Sequence, residues 1–377
     1  MSHHCHQNVT ELTPNRPKAV PEPRVRGLME AELKKILFAA PIAVLALAAC
    51  GDKPGGAGNQ QIQIVGSSTV YPFTTAVAEQ FQRTNQGMSA IVESTGTGAG
   101  MKLFCGGVGD NFPDMTNASR RMKASEAADC AKNGVKQIIE VPIGIDGLAL
   151  IEASATPAFT LTVRDVYAAL AANPFGKGPN TAKTWKDVNP SLPAIAIQVF
   201  GPPPTSGTRD SFAELILEKG CDADPAMKAL KDSDKDKHKD LCTKIREDRA
   251  YVEAGENDNL LVQKVSQNPG AIGILGYSFL EENATKVKGI PLNGIAPTGA
   301  TISDLSYPGA RQVYIYAKGE HVGVIPGMKE FLAEYARAWA KGGYLERRGL
   351  IPSPADVQAK GTAAATQLTP LNVAELK

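Results

Sequence analysis

From Gln61 onward the chain repeats one pattern. A short apolar run leads into a loop of small polar residues, and apolar residues at helical spacing follow. Ile62 to Val65 precede Gly66-Ser67-Ser68-Thr69, then Phe73, Val77 and Phe81 mark a helix with Pro72 in its first turn. Ala90 to Val92 precede the loop Ser94 to Gly100 and a short helix over Met101 to Cys105. Met115-Thr116 precede Asn117-Ala118-Ser119-Arg120 and a helix over Ser125 to Lys132. A fourth unit has Ala194 to Phe200 as strand, residues 201–211 as loop, and Phe212, Leu215, Ile216 and Lys219 as helix, with Gly220 as its stop. Strands alternating with helices predict an α/β fold with a largely parallel sheet.

Two runs break the rhythm. Ile138 to Ile151 is too long for one ordinary strand, and Gly270 to Tyr277 is similarly apolar and glycine-rich. Both read as hinge segments passing between lobes. Lobe one is then 60–145 plus 276–377 and lobe two is 146–275. Residues 228–240, dense in Lys and Asp, read as a solvated helix or loop insert.

The loops carry the chemistry. Each places Ser, Thr or Gly between the carboxyl end of a strand and a helix start, the edge where open α/β sheets bind ligands. A helix start offers free N–H groups and partial positive charge. Ser206, Gly207, Thr208 and Arg209 add donors and one full charge there, which suits a tetrahedral oxyanion; an ordinary capped helix is the plainer alternative. In its 377 residues, 40 Lys+Arg against 39 Asp+Glu give a net charge of +1, which argues against nucleic acid as partner. An aromatic content of 6% leaves no evident base-stacking platform.

The N-terminus reads as an export signal. Lys34-Lys35 precede an apolar run, Ile36 to Ala49, of signal-core length and short for a membrane span. Leu47-Ala48-Ala49-Cys50-Gly51 resembles a bacterial lipobox, which implies cleavage before Cys50 and lipid on its thiol. Residues 1–49 are then leader and signal, with Met29 a more ordinary start, and residues 50–60 a flexible tether. Periplasmic placement follows, with the membrane reached only through that lipid. Cys5 falls in the leader, and four further cysteines remain, Cys105, Cys130, Cys221 and Cys242. Export permits disulfides, and four cysteines allow three pairings. The sequence-local one, Cys105–Cys130 with Cys221–Cys242, closes two loops of similar size. Zinc is the rival, without a CxxC pair or neighbouring histidine in the sequence to support it.

Taken in order, Gly66-Ser67-Ser68-Thr69-Val70-Tyr71-Pro72, Ser94 to Gly100, Asn117 to Arg120, Ile145-Asp146-Gly147 and Ser206 to Asp210 resemble the periplasmic phosphate-binding protein of phosphate ABC importers. Tyr307-Pro308 with the run Gln312 to Ala317 extends the likeness, which spans about Ile62 to Tyr344. The resemblance implies a two-lobed type II binding protein that closes on phosphate, then docks on an inner-membrane permease as a monomer, without a cofactor or metal. It implies binding through Ser68, the Thr69 hydroxyl, the Val70 N–H, Thr97, Gly98, Ser119, Ser206, Gly207 and Thr208. Two departures stand out. Arg120 occupies the place of an aspartate in better-known members. Pro202 to Pro204 occupy the place of an arginine, with Arg209 just after. Arg120 and Arg209 are therefore the candidate cationic ligands.

Hydrogen phosphate donates one hydrogen bond and sulfate none, so a buried carboxylate can tell them apart. Asp146, beside Gly147 at the first crossover, is the candidate; a plain turn aspartate is the alternative. Catalysis finds little support. There is no GxSxG, no histidine with an evident triad partner, and the 96–100 loop with Lys102 lacks the ending of a phosphate-binding P-loop. A binder of another oxyanion (sulfate, molybdate or arsenate) is the nearest rival reading, and a surface adhesion or signalling module on the same fold is the next.

Overall fold

The computed structural model describes residues 61–255, 257–340 and 342–376. The leader, the tether and the lipidation candidate Cys50 lie outside the described residues. The first three units form, with the second helix starting four residues earlier than expected: β1 (Ile62–Gly66), α1 (Tyr71–Thr84), β2 (Ala90–Ser94), α2 (Thr97–Phe104), β3 (Met115–Ala118) and α3 (Ala124–Lys132). Helix α1 buries Phe73, Val77 and Phe81, one face at i, i+4 and i+8, and holds Pro72 in its first turn where the missing N–H costs nothing.

The run expected to cross between lobes is one strand, β4 (Ile138–Ala153). Its register slips between Pro142 and Gly144, where proline lacks the N–H the ladder needs. Beyond it lie α4 (Val163–Leu170), α5 (Trp185–Val188), β5 (Val199–Gly201), α6 (Gly207–Phe212) and one π-helical turn, Ala213–Leu217. That turn runs into α7 (Glu218–Cys221), then α8 (Pro225–Ser233), α9 (Lys235–Thr243) and β6 (Tyr251–Glu253). The remainder is α10 (Asp258–Gln267), β7 (Ile272–Gly276), α11 (Tyr277–Glu282), β8 (Val287–Gly289), α12 (Gly299–Ser303), β9 (Ala310–Lys318), α13 (Met328–Ala338) and α14 (Ala355–Gln367).

Strand order is β2-β1-β3-β9-β4-β7-β5-β6, with β8 also on β4. The flanks are parallel (β2-β1-β3 and β7-β5-β6), while β9 and β4 are antiparallel to their neighbours. The sheet is therefore mixed, with a parallel wing on either side of an antiparallel waist. Each wing has its own core. The first is in two clusters on residues 62–143 and 313–365, and the other is one cluster from Ile145 to Tyr307.

That division moves the second crossover. The run 270–277 was expected to cross, yet its strand β7 pairs only with β5 and the C-terminal half of β4. Leu280, Val287, Ile290, Leu292, Ile302 and Tyr307 then bury in the second core. The chain returns to the first core at β9, which pairs with β4 from Gly147 to Ile138. The amphipathic pieces after Tyr277 are too short to close a core alone, and β4 offers them an apolar face.

Gly220 does not end a helix. A Cβ there would stand 2.2 Å from the Val163 carbonyl oxygen and 2.6 Å from Tyr167 Cβ, so glycine lets α7 pack against α4. The charged insert forms α8 and α9. Both local disulfides are present, Cys105–Cys130 and Cys221–Cys242.

Candidate functional site

The polar loops of the two wings meet. At the end of β1, Ser67 and Thr69 are buried and Ser68 is half-buried. Opposite them, Ser206 caps α6 by accepting from the Thr208 N–H at 3.2 Å. A Cβ on Gly207 would lie 3.0 Å from the Ser68 carbonyl oxygen and 3.1 Å from Thr69 Cα, so the α6 start abuts the 67–70 loop backbone to backbone. The Ser68 hydroxyl donates to Asp210 across this seam, and the Thr69 hydroxyl donates to the Gly207 carbonyl at 3.4 Å. Asp210 therefore pairs across the seam rather than with Arg209 or its own helix end. Val70 precedes α1, and its N–H points at Ser67 Oγ at 3.4 Å. Thr97 and Ser119 join hydroxyl to hydroxyl at 2.8 Å, with the Ser119 N–H on Thr97 Oγ1 at 3.1 Å. Gly98 lies apart and lines a separate pocket beside Lys102 and Glu126.

The charge at the seam comes from a residue the sequence reading missed. Arg311, near the start of β9, is only 9% exposed. Its Nε donates to Asp146 at 3.1 Å, its Nη2 to Thr69 Oγ1 and Ser211 Oγ at 2.8 Å each, and its Nη1 to Glu214. Asp146 sits directly opposite Arg311 in the β4–β9 ladder, which makes them a cross-strand ion pair. Asp146 also accepts from Ser211 at 2.8 Å. The signal was legible: Arg311, Val313, Ile315 and Ala317 alternate along one face of β9, and all four are buried. A guanidinium in phase with apolar core positions needs acceptors waiting for it.

The two arginines picked from sequence are engaged elsewhere. Arg120 makes a two-pronged pair with Glu126 at 2.7 and 2.9 Å, and Arg121 pairs with Glu140 at 2.8 Å. Both carboxylates lie on the arginines' own half of the protein, close in sequence, and so reach them first. The Glu126 contact, opposed by burial, raises the Arg120 pKa above its ordinary value. Arg209 stacks 4.5 Å over the Tyr251 ring and donates to the Pro202 carbonyl at 3.1 Å, so α6 turns its charge back toward its own wing. Burial pushes the Tyr251 hydroxyl up to about 12, against the opposing Arg209 charge.

A cleft of about 520 Å³ opens beside the seam, lined by Ser68, Thr69, Asp146, Ser206, Gly207 and Thr208. Asp258 and Arg348 stand on its wall, and burial lifts the Asp258 pKa to about 6. One histidine does lie beside the cysteines. Buried His238 sits with the Cys221 and Cys242 sulfurs, but those are oxidised and its Nε2 is held by Asp222 at 2.7 Å.

Two cores joined by a shared antiparallel waist, with hydroxyls, helix starts and one guanidinium converging at the seam, define a two-lobed α/β binding protein. Residues 52–338 match a family model described as a PBP superfamily domain, and the chain belongs to that family. It is 32% identical to the protein SphX of Synechococcus elongatus over 89% of each chain. It is 30% identical to the phosphate-binding protein PstS of Staphylococcus saprophyticus over 77% of this chain and 81% of that one. Among solved structures, a possible phosphate-binding protein from Planctomyces limnophilus superposes with a TM-score of 0.67 at 30% identity, covering 81% of this chain and 98% of that one.

Proposed function

We propose that the protein binds inorganic phosphate at the seam between its wings and hands it to an ABC-type importer. The observation that carries this is the meeting of Thr69, Ser211, Gly207 and Arg311 from both wings, beside relatives whose names state phosphate binding. A doubly charged tetrahedral anion needs many donors to replace its hydration. Charge-assisted hydrogen bonds contribute about 1.5–3 kcal/mol each. Three or four of them reach roughly −8 kcal/mol, a micromolar Kd. Thr69, Thr97, Ser119, Ser206 and Thr208 supply hydroxyls, α6 supplies N–H groups, and Arg311 supplies the charge that Arg120 and Arg209 were expected to give. Asp146 holds that guanidinium in place and so acts as a positioning residue.

The same reading gives a monomer exported to the periplasm and tethered by lipid on Cys50, with an inner-membrane permease as partner. No helix among the described residues is long and apolar enough to cross a membrane. Calorimetric titration of ligand-free protein with phosphate and with sulfate tests the function. Heat from phosphate and none from sulfate supports it. Heat only from sulfate, or from neither with the protein folded, refutes it.

A further inference from the structure

The π-helical turn after α6 puts Glu214 where an anion belongs. Its Oε2 accepts from Arg311 Nη1 and from Ser119 Oγ, the latter at 3.3 Å. One donor is the buried guanidinium and the other the third-loop hydroxyl, and both belong to the set just assigned to phosphate. Three carboxylates surround Arg311 or its neighbours. Asp146 is 17% exposed and fixed in the β4–β9 ladder, and Asp210 sits in α6 facing Ser68. Glu214 differs on two counts. Its side chain is 48% exposed on a flexible stem, so it can swing into water without disturbing the core. It is carried by a π turn, which inserts an extra residue into a helix at a cost and is commonly found at functional sites.

We propose that Glu214 is a displaceable internal occupant of the phosphate position and a determinant of affinity and selectivity. This rests on the phosphate reading above. In the ligand-free protein its carboxylate satisfies Arg311 and Ser119 across the seam. Phosphate binds by taking those donors while Glu214 leaves for solvent. The apparent Kd is the intrinsic Kd divided by the fraction of molecules with Glu214 swung away. One charge-assisted pair at the site shifts that fraction by about tenfold to a hundredfold. Selectivity follows from the same competition. An incoming anion must offer more charge or more acceptor oxygens than a tethered carboxylate, which acetate and formate do not.

Glu214→Ala and Glu214→Gln, with the parent protein, are titrated with inorganic phosphate by calorimetry and melted with and without it. The expected result for Glu214→Ala is phosphate affinity about tenfold or more tighter. Its ligand-free melting temperature falls, because the seam loses an ion pair, while its phosphate-saturated melting temperature does not. Glu214→Gln lies between. Acetate, silent toward the parent, gives measurable heat with Glu214→Ala. Unchanged or weaker phosphate binding in a folded Glu214→Ala overturns the inference, as does an equal fall of both melting temperatures, the mark of a merely structural contact. A parent and variants that all ignore phosphate overturn the functional reading itself, and this inference with it.

Discussion

Replacing Gly207 by alanine tests the contact between the wings. Gly207 opens α6, and its conformation suits alanine, so the substitution gains helix propensity worth up to about 0.5 kcal/mol at this position. The new methyl meets the opposite wing. Its carbon would lie 3.0 Å from the Ser68 carbonyl oxygen and 3.1 Å from Thr69 Cα, each tighter than an ordinary contact near 3.4 Å or beyond. The wings must part by a few tenths of an ångström at this point. The bond from the Thr69 hydroxyl to the Gly207 carbonyl is already 3.4 Å long and is lost first. The Ser68–Asp210 contact is stretched next. One neutral bond at about 1 kcal/mol, with part of a second bond to a carboxylate, converts to roughly five- to thirty-fold weaker phosphate binding. Differential scanning calorimetry of the ligand-free variant should show a modestly lower melting temperature, because the helix-propensity gain offsets only part of the seam bonds lost. Titration calorimetry should show the affinity loss, larger still for Gly207→Val. A Gly207→Ala protein that binds phosphate as tightly as the parent would show that the α6–loop contact plays no part in the bound state.

Further outcomes follow from single contacts. Glu152 is 1% exposed in β4 and has Lys288 Nζ only at 3.8 Å. Burial lifts its pKa from 4.5 to about 7 against the Lys288 charge, so its stabilising effect is full below pH 4.5 and lost as pH rises through 7. At 1.36 kcal/mol per pH unit, Glu152→Gln should gain up to about 3 kcal/mol over the parent at pH 8 and little at pH 4, read from urea midpoints. Arg311→Met strands Asp146 at the waist and should cost up to about 3 kcal/mol of stability, largely recovered in the Arg311→Met/Asp146→Asn double variant by thermal melting. Cys221→Ala/Cys242→Ala opens a loop with a sequence separation of 21 and should lower stability by about 3 kcal/mol while leaving phosphate affinity alone, since α7 and α9 lie away from the cleft.

Local physics wrote the visible part of this fold. Phe73, Val77 and Phe81, and the alternating strands before each loop, are decided by spacing, so the first three strand–helix units were legible to within a few residues. The seam loops were legible too, because Ser, Thr and Gly at helix starts have few other reasons to recur. Most of what escaped depends on partners distant in sequence. The second crossover lies at β9 because Leu280, Val287 and Ile290 find the C-terminal half of β4, a preference no local window displays. Arg120 and Arg209 had the right charge in the right loops. Glu126, a near neighbour in sequence, captured the first, and the Tyr251 ring captured the second through tertiary geometry.

The position of Arg311 explains how a cleft of this kind can couple ligand to closure. β4 and β9 are the strands shared by both cores, and Asp146–Arg311 is a facing pair on them. The guanidinium therefore stays with the waist whichever way the wings turn. Thr69 reaches it from the β1 side, and Ser211 and Glu214 reach it from the α6 side. An anion on Arg311 draws donors from both wings toward one fixed point, so each bond it gains from one wing lowers the cost of the bond it makes with the other. A charge on Arg120 or Arg209 would travel with one wing and lack that leverage. On the proposed reading, an arginine on the shared strand and not in the loops keeps the charge that phosphate needs, and places it where binding and closure are the same event.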